Sequence, residues 1–275
     1  MLKGMPKDLR IWLGGGFILL LILLAIFAPL ISPFDPLEQD LMAATAAPGV
    51  EPGHWLGTDS LGRDILSRMI YATRIALTVA FVAAILACVL GTVLGMLAGY
   101  FGGWVDAVIS RLIDIWMAFP PVLLSILLVA VLGSGIHSVI AAIVVIDWTR
   151  FARVVRAETK QQARLEYAEA ASALGMGRMP ILVREILPNV LPVVLVLLSL
   201  EMGIAVIVEA ILSFVGLSVS TDTPTWGGMI AEGRQIIYQG WWVLVFPLVS
   251  LFLTVLAFNQ LGDGLRQWLD PMLKR

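Results

Sequence analysis

Residues 164–188 read RLEYAEAASALGMGRMPILVREILP, and this stretch decides the fold. Long apolar runs flank it on both sides, yet it is charged and helix-prone itself. Within 164–174, Tyr167, Ala170, Ala171 and Leu174 recur at i, i+3, i+4 and i+7, the spacing of one helix face. Glu166 and Glu169 share another face. Gly175 and Gly177 end that helix, Pro180 suits the first turn of a second one, and Pro188 closes it. Two short helices at a sharp angle make a compact knob, and the small Ala side chains permit close packing. Such a knob, set between apolar runs, is where a push from another subunit can enter the chain. The plainer alternative is a helical connector.

The flanking runs are membrane-length. A helix needs about 20 apolar residues to cross a hydrocarbon core of about 30 Å. Residues 11–31 give the first span, without a charge and preceded by Lys3, Lys7 and Arg10. The run exceeds a signal-peptide core and lacks a small-x-small cleavage site, so it is expected to stay. Further spans are expected at 75–97, 107–132, 136–155, 190–215 and 241–260, with Gly133, Ser134 and Gly135 separating the third from the fourth. Six spans put both termini on one side. With the N-terminus inside, 14 of the 18 Lys and Arg fall on cytoplasmic segments, which sets the orientation. Trp55, Trp226, Trp241 and Trp242 then mark an outer aromatic belt.

Composition agrees. The 275 residues are 59% hydrophobic and 14% charged, with a mean hydropathy of +0.94, whereas soluble domains run at about 25% charged. A soluble enzyme, a disordered chain, a coiled coil and a nucleic-acid binder are excluded. Lipid is the expected surroundings, and a net charge of −2 offers no field for phosphates. One cysteine, Cys88, builds no disulfide framework and reads as packing. His54 and His137 are too few and too distant for a metal cage and read as surface residues near the outer face. No metal site is expected.

The longest external segment, 32–74, begins irregularly at Pro33, Pro36, Pro48, Pro52 and Gly53. Ile65, Leu66, Met69 and Ile70 then form one stripe, expected to be a short helix lying on the outer membrane face, capped by Asp59 or Ser60. It is either a structural edge or part of a docking surface for an external partner.

The chain carries no engine of its own. The phosphate-binding pattern G-x-x-x-x-G-K-[ST] is absent, as are H-E-x-x-H, C-x-x-C and a Ser/His/Asp set within one segment. No catalytic residues are expected. If ATP drives this protein, another chain hydrolyses it.

The knob also resembles a known motif. Glu169, Ala170, Ala171, Gly175, Leu187 and Pro188 match the EAA pattern (E-A-A-x3-G-x9-I-x-L-P) of the cytoplasmic coupling loop in type I ABC importer permeases. Glu185 stands where the pattern has Ile, with Ile186 beside it. LGTDSLGRD at 56–64, AGYFGG at 98–103 with Asp106, LSFVGL at 212–217 and PTWG at 224–227 narrow the likeness. So does FNQLGDGLR at 258–266, followed by Asp270 and Pro271. Together they are similar to the C-type permeases for dipeptides, oligopeptides and nickel, over about residues 10–272.

The resemblance implies an all-α integral membrane protein of the type I ABC importer permease fold, in a bacterial inner membrane. It divides the chain into an N-terminal segment at 1–72, a permease unit at 73–264 and a cytoplasmic tail at 265–275. It also implies partners: a second, similar permease, two ATPase subunits or domains that bind the ATP and Mg, and an external solute-binding protein. Coupling is then expected at Glu166, Glu169, Ala170, Ala171, Leu174, Gly175, Leu187 and Pro188. External docking is expected at Asp59, Arg63, Asp64 and Trp226.

Ionisable groups inside a bilayer are costly and default to functional candidates. Asp147 sits near the middle of the fourth span; it either pairs with Arg150 or lines a path facing a cationic or peptide solute. Glu201 and Glu209, eight residues apart on the fifth span, can face one side. Glu201 is the better path candidate, and Glu209 fits a structural or gating place at a permease interface. Pro120 and Pro121 remove helix hydrogen bonds and either kink the third span or shape a cavity. Arg111 and Asp114 are spaced to pair. Short peptides are the first substrate reading and nickel or a metal chelate the second. A stand-alone channel or scaffold is the rival from another class. A membrane-embedded enzyme would have to rest on Asp147, Glu201 and Glu209 alone.

Overall fold

A computed structural model describes residues 9–219 and 223–269. Lys3, Lys7, Asp270, Pro271, Lys274 and Arg275 lie outside the described residues. Among those described, the chain is helical, without a strand. We number nine helices: α1 Leu9–Ile26, α2 Ile65–Phe101, α3 Gly103–Met117, α4 Pro121–Leu132, α5 Ile136–Gln162, α6 Glu166–Ala173, α7 Leu187–Phe214, α8 Trp226–Gln235 and α9 Trp241–Leu269. The knob of residues 164–188 caps one end of the bundle, and residues 32–64 cover the other.

The centre of the bundle is the α2–α5 pair, and glycines make it possible. Gly91, Gly95 and Gly99 lie one helical turn apart on α2. A Cβ on them would stand 2.3 Å from the Trp148 carbonyl oxygen, 2.7 Å from that of Ala152 and 2.6 Å from that of Arg156. With no side chain between them, the two backbones touch. This small-residue approach suits helices in lipid, where packing rather than hydrophobic burial drives association. At the flank, Gly14 of α1 packs equally close to α9, where an added Cβ would stand 2.6 Å from the Ala257 carbonyl oxygen. Ser199 on α7 donates to the Phe258 carbonyl of α9 at 2.8 Å.

Among the described residues, four helical stretches are long and apolar enough to cross a membrane by length and composition, Leu9–Ile26, Ile65–Phe101, Arg178–Phe214 and Trp241–Leu269, and the bent pair Gly103–Met117 and Pro121–Leu132 makes a fifth if taken as one span. The expected count of six is therefore not reproduced by these criteria alone. The third expected span, 107–132, is not one helix. α3 and α4 meet at 89°. Pro120 is extended (φ −60°, ψ 121°) and Pro121 opens α4, so neither ring has to fit inside a helix. The fourth, 136–155, lies in α5, which continues to Gln162 with charged residues along its second half.

Two other expectations change. The stripe Ile65, Leu66, Met69 and Ile70 is not a separate surface helix; it forms the first turns of the 37-residue α2. At 1.5 Å per residue that helix is about 55 Å long, longer than a bilayer core of about 30 Å. Its cap is Asp64, which accepts from the Ser67 N–H at 2.7 Å, rather than Asp59 or Ser60. Likewise Pro188 does not close the second knob helix. Residues Arg178–Phe214 form one continuous rod. Within it, Ile181–Ile186 is wound as a π-helix, a wider turn ahead of a proline in the first turn of α7. The Asn189 side chain donates to the Glu185 carbonyl there, at 2.7 Å.

Candidate functional site

The knob has an inner and an outer face. Inward, Ala168 and Ala171 of α6 pack with Ile181, Leu182 and Ile186, and these continue into Phe151, Val155 and Val190 of the core. Ile186 is fully buried while Glu185 is only partly so. The π-helical turn thus brings Ile186 into the core and leaves Glu185, which stands at the motif position, at the edge. Tyr167 ties α6 to the end of α5 by donating to the Gln162 side-chain oxygen at 2.8 Å. Partial burial, the largest influence on it, pushes the Tyr167 hydroxyl above its usual pKa.

Outward, Glu166, Glu169, Ala170, Leu174 and Pro188 are exposed, Leu174 at 89%. Ala171 belongs to the inner face, and Leu187 lies between the two. Gly175 holds the corner. Its φ of +83° lies in the left-handed region that only glycine enters without strain. Its N–H bonds to the Ser172 carbonyl at 3.0 Å, and the Met176 N–H to the Ala171 carbonyl at 3.1 Å, the paired bonds of a Schellman stop.

Halfway along the bundle lies a cluster of charges. Arg150 of α5 has its Nη1 3.3 Å from both carboxylate oxygens of Glu201 on α7. Its Nε is 3.8 Å from Asp147, one turn away. Both acids are buried; Arg150 is about a third exposed. Asp147 and Glu201, predicted separately, are therefore brought together by one guanidinium. Glu209 stands apart, two turns further along α7, accepting from Ser213 at 2.5 Å and Ser218 at 3.2 Å. Pro120 and Pro121 are exposed at the α3–α4 bend, away from this cluster.

Nearer the knob, Arg156 of α5 clamps Asp106 of α3, with Nη2 2.8 Å from Oδ2. Asp114 faces Arg153, at 3.6 Å, rather than Arg111. Crossing partners of this kind escape a reading of i, i+3 spacing along a single helix.

The expected docking residues at the other end are turned inward. Asp59, Arg63, Asp64 and Trp226 are all buried. Asp59 accepts from the Arg63 side chain at 2.7 Å and from Arg68. Glu232 on α8 closes the network, 3.1 Å from Arg63 and 2.7 Å from Arg68. The charges of LGTDSLGRD are thus spent on holding the segment to α2 and α8. Asp64 also meets His54 at 3.0 Å, and His54 stacks on Phe34 at 4.3 Å, so that histidine is packed rather than a free surface group. Trp226 donates to the Met69 carbonyl at 3.3 Å and Trp242 to that of Thr58 at 3.0 Å. Both are buried, which leaves Trp55 and Trp241 as the exposed pair of the four. Glu232 was invisible to motif reading because its partners lie more than 160 residues away.

These features define a multi-pass membrane protein with an ion cluster in its interior and a protruding two-helix knob. Family comparison places it: Binding-protein-dependent transport system inner membrane component matches residues 91–275, and the N-terminal TM domain of oligopeptide transport permease C matches 11–48. The chain belongs to the first of these families and is a permease of the ABC importer kind. It is 43% identical over 261 residues to the glutathione transport system permease protein GsiD of Pectobacterium atrosepticum, covering 95% of this chain and 86% of that one. It is 44% identical over 259 residues to GsiD of Escherichia coli O157:H7, covering 94% and 85%. Among solved structures, the inward-facing MetNI methionine ABC transporter matches with a TM-score of 0.61 at 20% identity, covering 75% of this chain and 98% of that one. An amino acid ABC transporter with histidines matches at 0.58 and 17%, covering 74% and 94%. At these identities the two structures speak for the fold alone.

Proposed function

We propose that this chain is one of two permease subunits lining a path for short peptides, with both of its termini on the cytoplasmic side of a bacterial inner membrane. The permease unit, 73–264, forms half of the path; segment 1–72 adds the flanking helix and the external cover, and 265–275 is a cytoplasmic tail. Two ATPase subunits or domains bind ATP and Mg and press on the knob, and an external binding protein delivers the solute. The peptide assignment rests on the glutathione permeases to which the chain is similar.

The observation that carries the coupling role is the rod Arg178–Phe214. Its knob end begins next to the exposed Glu166, Glu169, Ala170 and Leu174, and its middle carries Glu201. A continuous helix is stiff along its axis. The rod runs on past the π-helical turn and Pro192 without a break in the helix, so a push on the knob is carried to Glu201 and its partner Arg150. At the other end, Asp59, Arg63, Asp64 and Trp226 fix the shape of the surface that the binding protein meets.

The test is Glu169→Arg in the complete importer. Glu169 is exposed and makes no core contact, so the chain should fold and insert normally. Peptide uptake into proteoliposomes should fall at least tenfold relative to ATP hydrolysis, or the ATPases should fail to co-purify. Unchanged uptake per ATP would remove the coupling role.

A further inference from the structure

A cavity of about 550 Å³ opens between α5, α7 and α9 on the knob side of the bundle. Two stripes form its walls. On α5, Gln162, Glu158 and Val154 lie one turn apart, and the next position up is Arg150. On α7, Asn189, Val193 and Leu197 do the same, and the next position up is Glu201. The cavity therefore runs from a polar mouth lined by Arg266 of α9 and Glu158 up apolar walls that end one helical turn short of Arg150 and Glu201. Its volume falls within the range of about 300–1,000 Å³ typical of small-molecule sites.

The cluster is loosely paired. Its contacts of 3.3 and 3.8 Å exceed the 2.7–2.9 Å of a tight charge-assisted bond, unlike the Arg156–Asp106 clamp. Two carboxylates share one guanidinium, so formal negative charge is in excess at a place where unbalanced charge is costly. A molecule bearing both an ammonium and a carboxylate adds no net charge and brings a second cation, so two cations face three carboxylates instead of one facing two: its carboxylate takes Arg150, and its ammonium takes the acid that Arg150 releases.

We propose that Arg150, with Glu201 and Asp147, forms a selectivity site one turn beyond the deep end of this cavity for the free termini of a zwitterionic peptide. This rests on the permease reading above and deepens it. The recognised unit is the pair of opposite charges; the apolar walls of Val154, Val193 and Leu197 tolerate varied side chains between them.

The test uses the assembled complex in detergent, carrying Val154→Cys in the cavity wall. Its labelling by a maleimide is followed while trialanine, its C-terminal amide or its N-acetyl derivative is added. Trialanine should protect the cysteine, and each blocked analogue should need at least about tenfold more. Adding Arg150→Gln should bring the amide within about twofold of the free peptide; adding Glu201→Gln should do so for the acetyl derivative. Arg150→Lys keeps the charge and should retain part of the discrimination, which separates recognition from a packing defect. Equal protection by all three peptides, protection by none, or a preference untouched by Arg150→Gln would overturn the proposal. If no variant assembles, the three-peptide comparison in the Val154→Cys complex still decides it. ATP-driven uptake is measured in parallel. Uptake without protection sinks this site and leaves the permease reading standing; protection without uptake of any probe does the reverse.

Discussion

Replacing Gly91 by Ala should destabilise the bundle even though it adds a single methyl group. The new Cβ would lie 2.3 Å from the Trp148 carbonyl oxygen, 2.5 Å from the Phe151 Cβ and 3.0 Å from the Ala152 nitrogen. Ordinary contact begins near 3.4 Å, so the shortfall against the carbonyl is about 1.1 Å. Two of these neighbours are backbone atoms and the third is a Cβ fixed to the backbone, so no rotamer change relieves the clash. α5 must move away as a body, and the Gly95 and Gly99 contacts open with it. Overpacking of this kind costs about 1–3 kcal/mol, while exchanging a helical Gly for Ala returns about 0.5–1 kcal/mol. The net loss should be about 1–2 kcal/mol, close to a tenfold change in the folding equilibrium. The control is Gly16→Ala in α1, where nothing lies within 4 Å of the added methyl; it should be neutral or slightly stabilising. Unfolding of both variants in mixed detergent and denaturant, followed by tryptophan fluorescence, measures the difference. A Gly91→Ala protein as stable as the Gly16→Ala control would refute the account of close helix contact.

Asp59→Asn removes the buried acid that Arg63 and Arg68 share. Stranding buried cations costs about 3–5 kcal/mol, lessened here by Glu232, so a lower melting temperature and early proteolysis within 32–64 should follow. Glu232→Gln should cost less, because that carboxylate is a third exposed; equal losses would mean that the network is not centred on Asp59. Gly175→Val forces a branched side chain into a φ of +83° at a cost of about 1–3 kcal/mol. The strain falls at the knob corner, so partner ATPase binding should weaken while the detergent melting curve of the core stays close to that of the parent; the opposite pattern would show that Gly175 supports the bundle instead.

The membrane class, the knob and its bounding glycine follow from local chemistry. Apolar run length is set by bilayer thickness, and a left-handed corner selects glycine whatever surrounds it, so 164–175 reads correctly from the residues alone. Asp147 and Glu201 were recognisable for a similar reason: a carboxylate inside an apolar run is anomalous before any partner is known.

Tertiary structure decided who pairs with whom. Arg150 joins the two acids, Arg153 rather than Arg111 takes Asp114, and Glu232 reaches back across the chain to Arg63 and Arg68. It also turned Asp59, Asp64 and Trp226 inward and fused the second knob helix with α7. A span reads as apolar or polar by itself, but an ion pair, a buried tryptophan and a helix crossing depend on what the rest of the chain brings within a few ångströms. At Gly91 the sequence supplies the missing side chain, and only the fold supplies the carbonyl that needs its absence.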